Sequence, residues 1–182
     1  MNDLHLTMRN LYLILLMLLI SCKSTTLKEE SNYIQVNESV NLYAFIGEKI
    51  SVTEFDPNDP INTRIEVDSI TKDTLRFESY VMDNGFICKY KVLKNIFNEI
   101  RSDTVEFKAY DHYGRPGFEN YDNVILYISL NKEKGNYYHQ KYQFDPIVRD
   151  KNGMWKGLKG ESIKELFAQK KNGVLTSRGL FD

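Results

Sequence analysis

The chain has 182 residues, a formal net charge of -1 and no block of like charge. Nucleic-acid binding calls for a basic face, so a near-neutral chain of this kind sets that class aside. Twelve Tyr and ten Phe against two Cys point to a fold that packs rings, not a disulfide framework.

A lone Arg9 precedes an apolar run over residues 11–20, and Ser21 and Cys22 follow. A basic start, an apolar core of ~7–15 residues and a small residue at the cut are the three parts of a secretory signal. The run is too short to span a bilayer, which takes ~20 apolar residues. Asp3 sits badly in a basic start, and Met8-Arg9 makes a tidier beginning. Leu19-Ile20-Ser21-Cys22 resembles the lipobox of bacterial lipoproteins. The resemblance covers residues 9–22. It implies a signal peptide over residues 1–21, with a diacylglyceryl group on the Cys22 sulfur and an acylated amine. One acyl chain binds a membrane reversibly, at ~0.8 kcal/mol per buried CH₂, whereas several anchor stably. Lys23 stands where Asp would signal inner-membrane retention, so an outer-membrane lipoprotein facing the periplasm or the cell surface is expected. Its first expected partner is the lipid bilayer. With Cys22 consumed, Cys88 has no partner within the chain, and its place among Phe86, Tyr90 and Val92 reads as a small buried hydrophobe.

Residues 22–39 are polar and read as a flexible tether, which leaves residues 40–182 as one domain. From Val40 the period is two: Leu42, Ala44 and Ile46 share a face that Ile50 and Val52 continue past a bulge at Gly47. Residues 56–60 break that strand. Ile65 and Val67 mark a short strand, and Leu75, Phe77 and Val81 place apolar groups on one face of the next. Asp83-Asn84-Gly85 is a hairpin signal, with Phe86, Cys88, Tyr90 and Val92 as the return strand. Val105, Phe107 and Ala109 alternate with Glu106 and Lys108. Residues 111–123 form a loop, and residues 124–130 are an unbroken apolar run of a central strand. Tyr138, Tyr142 and Phe144 are expected to face the core from the strand after it. Residues 150–153 turn into a short strand with Trp155. Ser162 and Glu165 fit a capping box at the start of a helix over 161–172, with Gly173 as its stop. The fold class is therefore mainly β, a small antiparallel barrel or a sandwich of about seven to eight strands, with one short C-terminal helix.

The stretch from Leu42 to Val52, with Gly47 at its centre, resembles the first strand of netrin-like domains, the OB-type barrel of tissue inhibitors of metalloproteinases. Residues 86–97 and 103–107 are similar to the strands that follow. The resemblance spans residues 40–130 and implies a barrel. It carries over no site residues, because those inhibitors chelate zinc with a free N-terminal cysteine and Cys22 is expected to be acylated.

The sequence holds no phosphate loop, dinucleotide fingerprint, nucleophile elbow or metal-ligand spacing, so it assigns no catalytic residue, metal or cofactor. The most unusual local runs are Tyr110, Asp111, His112, Tyr113 and Arg115 in one loop, and Tyr137, His139 and Lys141 in one strand. Strict alternation would expose the latter three as a stripe. These eight residues form the candidate binding surface. Tyr and His stack on partners and hydrogen-bond to them, so an envelope protein is the expected partner of this surface, with a glycan as the alternative. The enzyme class is left with no sequence support.

Overall fold

The structure, a computed structural model, describes residues 34–181. The expected signal peptide and Cys22 lie outside the described residues. The elements in order are β1 (Tyr43–Phe55), β2 (Asn62–Val67), β3 (Thr74–Ser79), β4 (Asn84–Phe97), β5 (Thr104–Asp111), β6 (Asn123–Asn131), β7 (Asn136–Arg149), β8 (Trp155–Gly157) and α1 (Ile163–Lys170).

Five strands close a ring. β1 pairs antiparallel with β4 on one side and β6 on the other, β4 pairs with β5, and β6 with β7. A short parallel pairing completes it, Phe107 with Tyr137 and Lys108 with Tyr138. The first three ring strands are neighbours, and β6 returns beside the first, which is the Greek-key order. The expected β-rich domain with one short C-terminal helix is thus a barrel and not a sandwich. β8 extends the wall beyond β7, and β2 with β3 forms a separate two-stranded hairpin.

Alternation along the ring strands fills two layers. Phe45, Phe86, Cys88, Tyr90, Phe107, Leu126 and Ile128 pack the lumen, with Phe118 from a 3-10 turn (Gly117–Asn120). Ala44, Ile46, Phe97, Ile125 and Tyr127 face outward and lie under Ile163, Leu166 and Phe167 of α1. β6 is therefore buried on both faces, which is why residues 124–130 read as continuous and not alternating. In β1 the sequence shows one buried face, and the structure adds Phe45 on the other. Ile50, expected on the same buried face, is half exposed, because a register shift lies between Lys49 and Ser51.

The capping box forms: the Ser162 hydroxyl accepts from the Glu165 N–H at 3.2 Å, and Glu165 accepts from the Ser162 N–H at 2.8 Å. Phe167 then stacks on Phe97 with centroids 5.4 Å apart and lies parallel to Tyr127. Burying a ring of that size stabilises the fold by ~1.5–3 kcal/mol. Beyond Lys170 the chain widens into a π turn (Lys171–Leu175), where Gly173 leaves helical geometry.

Two glycines are set by close approach. A Cβ on Gly47 would lie 3.0 Å from both the Phe45 and Tyr90 rings, and a register shift falls between Ile46 and Gly47, as expected for a bulge. Gly85 corrects the sequence reading. Asn84 and Gly85 make no hairpin turn: they open β4, which pairs with β1 and β5 and not with β3. The glycine is needed there because a Cβ would meet the Phe55 ring at 2.7 Å.

The barrel also holds chain that was expected in the tether. The Gln35 N–H donates to the Ile96 carbonyl at 3.0 Å and its carbonyl accepts from Asn98 at 2.9 Å. Asn98 is buried, at φ 48°, and its amide nitrogen lies 3.0, 3.1 and 2.8 Å from the carbonyls of Asn37, Val40 and Leu42. Its carbonyl oxygen accepts from the Asn37 N–H at 2.8 Å. An unpaired buried polar group costs ~1–3 kcal/mol, and a left-handed alanine ~1–2 kcal/mol. Asn98→Ala is therefore expected to destabilise the domain by about 3 kcal/mol in urea unfolding. A loss under ~1 kcal/mol would contradict this role.

Candidate functional site

The loop after β5 is built as a strut. Asp111 is buried and its carboxylate accepts from the Tyr113 N–H at 2.9 Å, which tightens the turn. Gly114 follows at φ 127°. Arg115 forks onto Glu119 at 2.7 and 2.8 Å, donates to the Val52 carbonyl at 2.9 Å, and covers the Phe86 ring. Asp111 and Arg115 are thus committed to shaping the loop and seating Phe118. Tyr110 packs edge-on against Phe55 and is partly buried.

His112, Tyr113 and Lys141 do come together, around a residue the sequence marked only as part of a turn. Asp83 accepts from Lys141 Nζ at 2.6 Å and lies 3.2 Å from His112 Nδ1. The Lys141 hydrogen bond holds the Asp83 carboxyl below its usual range. Tyr142 lies under Lys141 Nζ and stacks with Tyr113, with centroids 6.4 Å apart. Tyr113 is 88% exposed. The ion pair is partly solvated, and pairs in such a setting add little to stability. Asp83 is shared by the Lys141 ammonium and the His112 ring, so it is not a free base.

The expected stripe of Tyr137, His139 and Lys141 does not exist as one face. Ile128 pairs with His139 and Leu126 with Phe144, so β7 runs five residues against two on β6. Tyr142 takes φ 66° in that excursion. The bulge inverts the alternation. Tyr138 and Tyr142, expected in the core, are 38% and 44% exposed, and His139, expected outside, is 8% exposed. Tyr137 packs edge-on against Tyr43. His139 rests on Phe118, centroids 4.7 Å apart, and its Nε2 is 2.8 Å from the Gln143 carbonyl. Arg178 straps the bulge by donating to the Gln140 side chain and the Lys141 carbonyl.

A second surface was not foreseen. Leu75, Phe77 and Val81 were expected to pack on one face, yet all three are exposed. Nine of the seventeen exposed large hydrophobic residues described lie between residues 61 and 82, including Ile65, Val67 and Ile70. The signal was present in the alternation of both strands; the sequence could not say that the hairpin would have no wall to pack on.

Among the described residues, no three His, Cys, Asp or Glu side chains are grouped as metal ligands, and no helix is long and apolar enough to cross a membrane. Comparison with protein-family models, with curated proteins and with solved structures finds no match.

Burial pushes the His139 imidazole down to about 4 from an ordinary 6.5. The unfolded chain then binds more protons than the folded one between those values, so stability is full above pH 6.5 and falls as the pH drops toward 4. The shift corresponds to roughly 3 kcal/mol at ~1.36 kcal/mol per unit. Urea unfolding of the wild type should show this acid limb, and His139→Gln should flatten it. Identical pH dependence in the two proteins would refute the assignment.

Proposed function

We propose that this chain is a lipid-anchored, non-enzymatic module of the cell envelope that docks a partner protein through the β2–β3 hairpin. The observation that carries the reading is the exposure of that hairpin: Ile65 is 64% exposed, Val67 62% and Ile70 89%. A two-stranded hairpin without packing is marginal in water, and large apolar side chains left exposed on both its faces mark an interaction site. Its charges are spent internally. Arg64 pairs with Glu66 at 2.7 Å and lies over the Phe77 ring, and Arg76 pairs with Glu78 at 2.8 Å. Little net charge then opposes burial, and both outer edges of the hairpin are open to strand addition by a partner.

Two further lines support the class. The ring order, with its parallel closing pair, fits an OB-type barrel, the scaffold of the netrin-like domains that the β1 stretch resembles. The lipobox at Cys22 supports anchoring at the outer membrane through acyl chains, on the periplasmic or the surface side. The Tyr113–Tyr142 surface beside Asp83 is a secondary contact candidate.

Serine at Ile65, Val67, Leu75 and Phe77 together tests the docking reading. These side chains are exposed, so barrel stability should change by no more than ~0.5 kcal/mol per site. Crosslinking in the native envelope should recover a stoichiometric protein with the wild type and lose it with the quadruple variant. Equal recovery from both, with the barrel intact, refutes docking through the hairpin.

A further inference from the structure

α1 covers part of the outer wall, and next to it, at Leu93, Ile147 and Trp155, the wall opens as a cleft of about 660 Å³ along β1, β6, β7 and β8. Its walls are of mixed character. Tyr121 and Trp155 supply rings, while Glu48, Asp122, Asn123 and Arg149 supply polar groups. Trp155 is fixed before any ligand arrives: it pairs with Arg149 across the β7–β8 ladder, and the guanidinium lies 4.1 Å from its ring centroid. Arg149 is fixed in turn by a 2.7 Å hydrogen bond to the Gly153 carbonyl, which leaves its other donors free. Glu48 and Asn123 face each other across β1 and β6. Among the described residues, the side chains of Glu48, Asp122 and Asn123 have no hydrogen-bond or ion-pair partner within the chain.

We propose that this cleft binds a short, uncharged oligosaccharide. Its size falls within the ~300–1,000 Å³ of small-ligand sites. Two carboxylates, the Asn120 and Asn123 amides and an oriented guanidinium offer acceptors and donors together, which is what a polyhydroxylated ligand needs. An apolar ligand would strip water from the carboxylates and leave them unpaired. An anionic one would meet two carboxylates against a single Arg149. The exposed edges of Tyr121 and Trp155 provide apolar wall for the C–H groups of a sugar, since Arg149 lies over the Trp155 ring and Phe144 beside Tyr121. The site is separate from the hairpin and does not rest on the docking reading.

Trp155 is the sole tryptophan of the chain, so its emission reports on this cleft directly. The full-length lipoprotein, held in a sugar-free detergent, is titrated with maltotriose, cellotriose and chitotriose, and with trigalacturonate as the anionic control. At least one neutral trisaccharide should give a saturable change in Trp155 emission at millimolar concentration or below, and trigalacturonate none. Loss of a charge-assisted hydrogen bond should raise the Kd of Asp122→Asn by about tenfold or more. The quadruple hairpin variant should bind as the wild type does, which separates this site from the docking surface. No response to any of the three neutral sugars, tighter binding of trigalacturonate, or an unchanged Kd in Asp122→Asn overturns the proposal.

Discussion

Closure of the ring by two residue pairs, Phe107 with Tyr137 and Lys108 with Tyr138, is the constraint on which the rest of the structure depends. β7 must serve three neighbours: β5 at its start, β6 along both halves and β8 at its end. One strand meets these demands only by bulging, and the residues between His139 and Phe144 are that bulge. The excursion buries His139 against Phe118 and turns Lys141 and Tyr142 outward to Asp83 and Tyr113. Closure also seals the lumen, where Gly47 gives up a side chain so that the Phe45 and Tyr90 rings can both lie against its backbone.

The same closure explains the hairpin. The ring is complete without β2 and β3, so their apolar residues have no place in its wall. Each face of the hairpin carries an apolar row from one strand beside a polar and charged row from the other, Ile65 and Val67 opposite Arg76 and Thr74, Leu75 and Phe77 opposite Glu66 and Arg64. That pattern keeps both faces soluble and leaves both suited to a partner. On the proposed reading the protein is an anchored adaptor: the barrel is the rigid part, and two surfaces with different chemistry, one apolar and one rich in hydrogen-bonding groups, face other molecules.

Much of the barrel was legible because alternation survives wherever pairing is regular. Phe86, Cys88 and Tyr90 in β4, and Val105, Phe107 and Ala109 in β5, fill the lumen as their period demands. The capping box at Ser162 is a local rule and is read directly. What was not legible depends on partners distant in the chain. Gly85 follows an asparagine, as in a tight turn, but the Phe55 ring requires it. The exposed stripe on β7 failed because a bulge shifts register without any mark in composition. Residues 35–39 read as tether because Asn98, about sixty residues away, satisfies their backbone. Of the candidate surface, His112, Tyr113 and Lys141 converge, while Asp111 and Arg115 shape a loop and His139 belongs to the core.

Hydrogen–deuterium exchange across residues 61–82 tests the docking account most directly, comparing the purified lipoprotein with the same protein in its native envelope. Amides along the outer edges of β2 and β3 have no ladder partner and should exchange fast in the purified protein. In the envelope they should slow markedly, while the amides of β4 and β6 stay as slow as before. Equally fast exchange of the hairpin in both settings, or protection that appears elsewhere and spares it, would contradict the account.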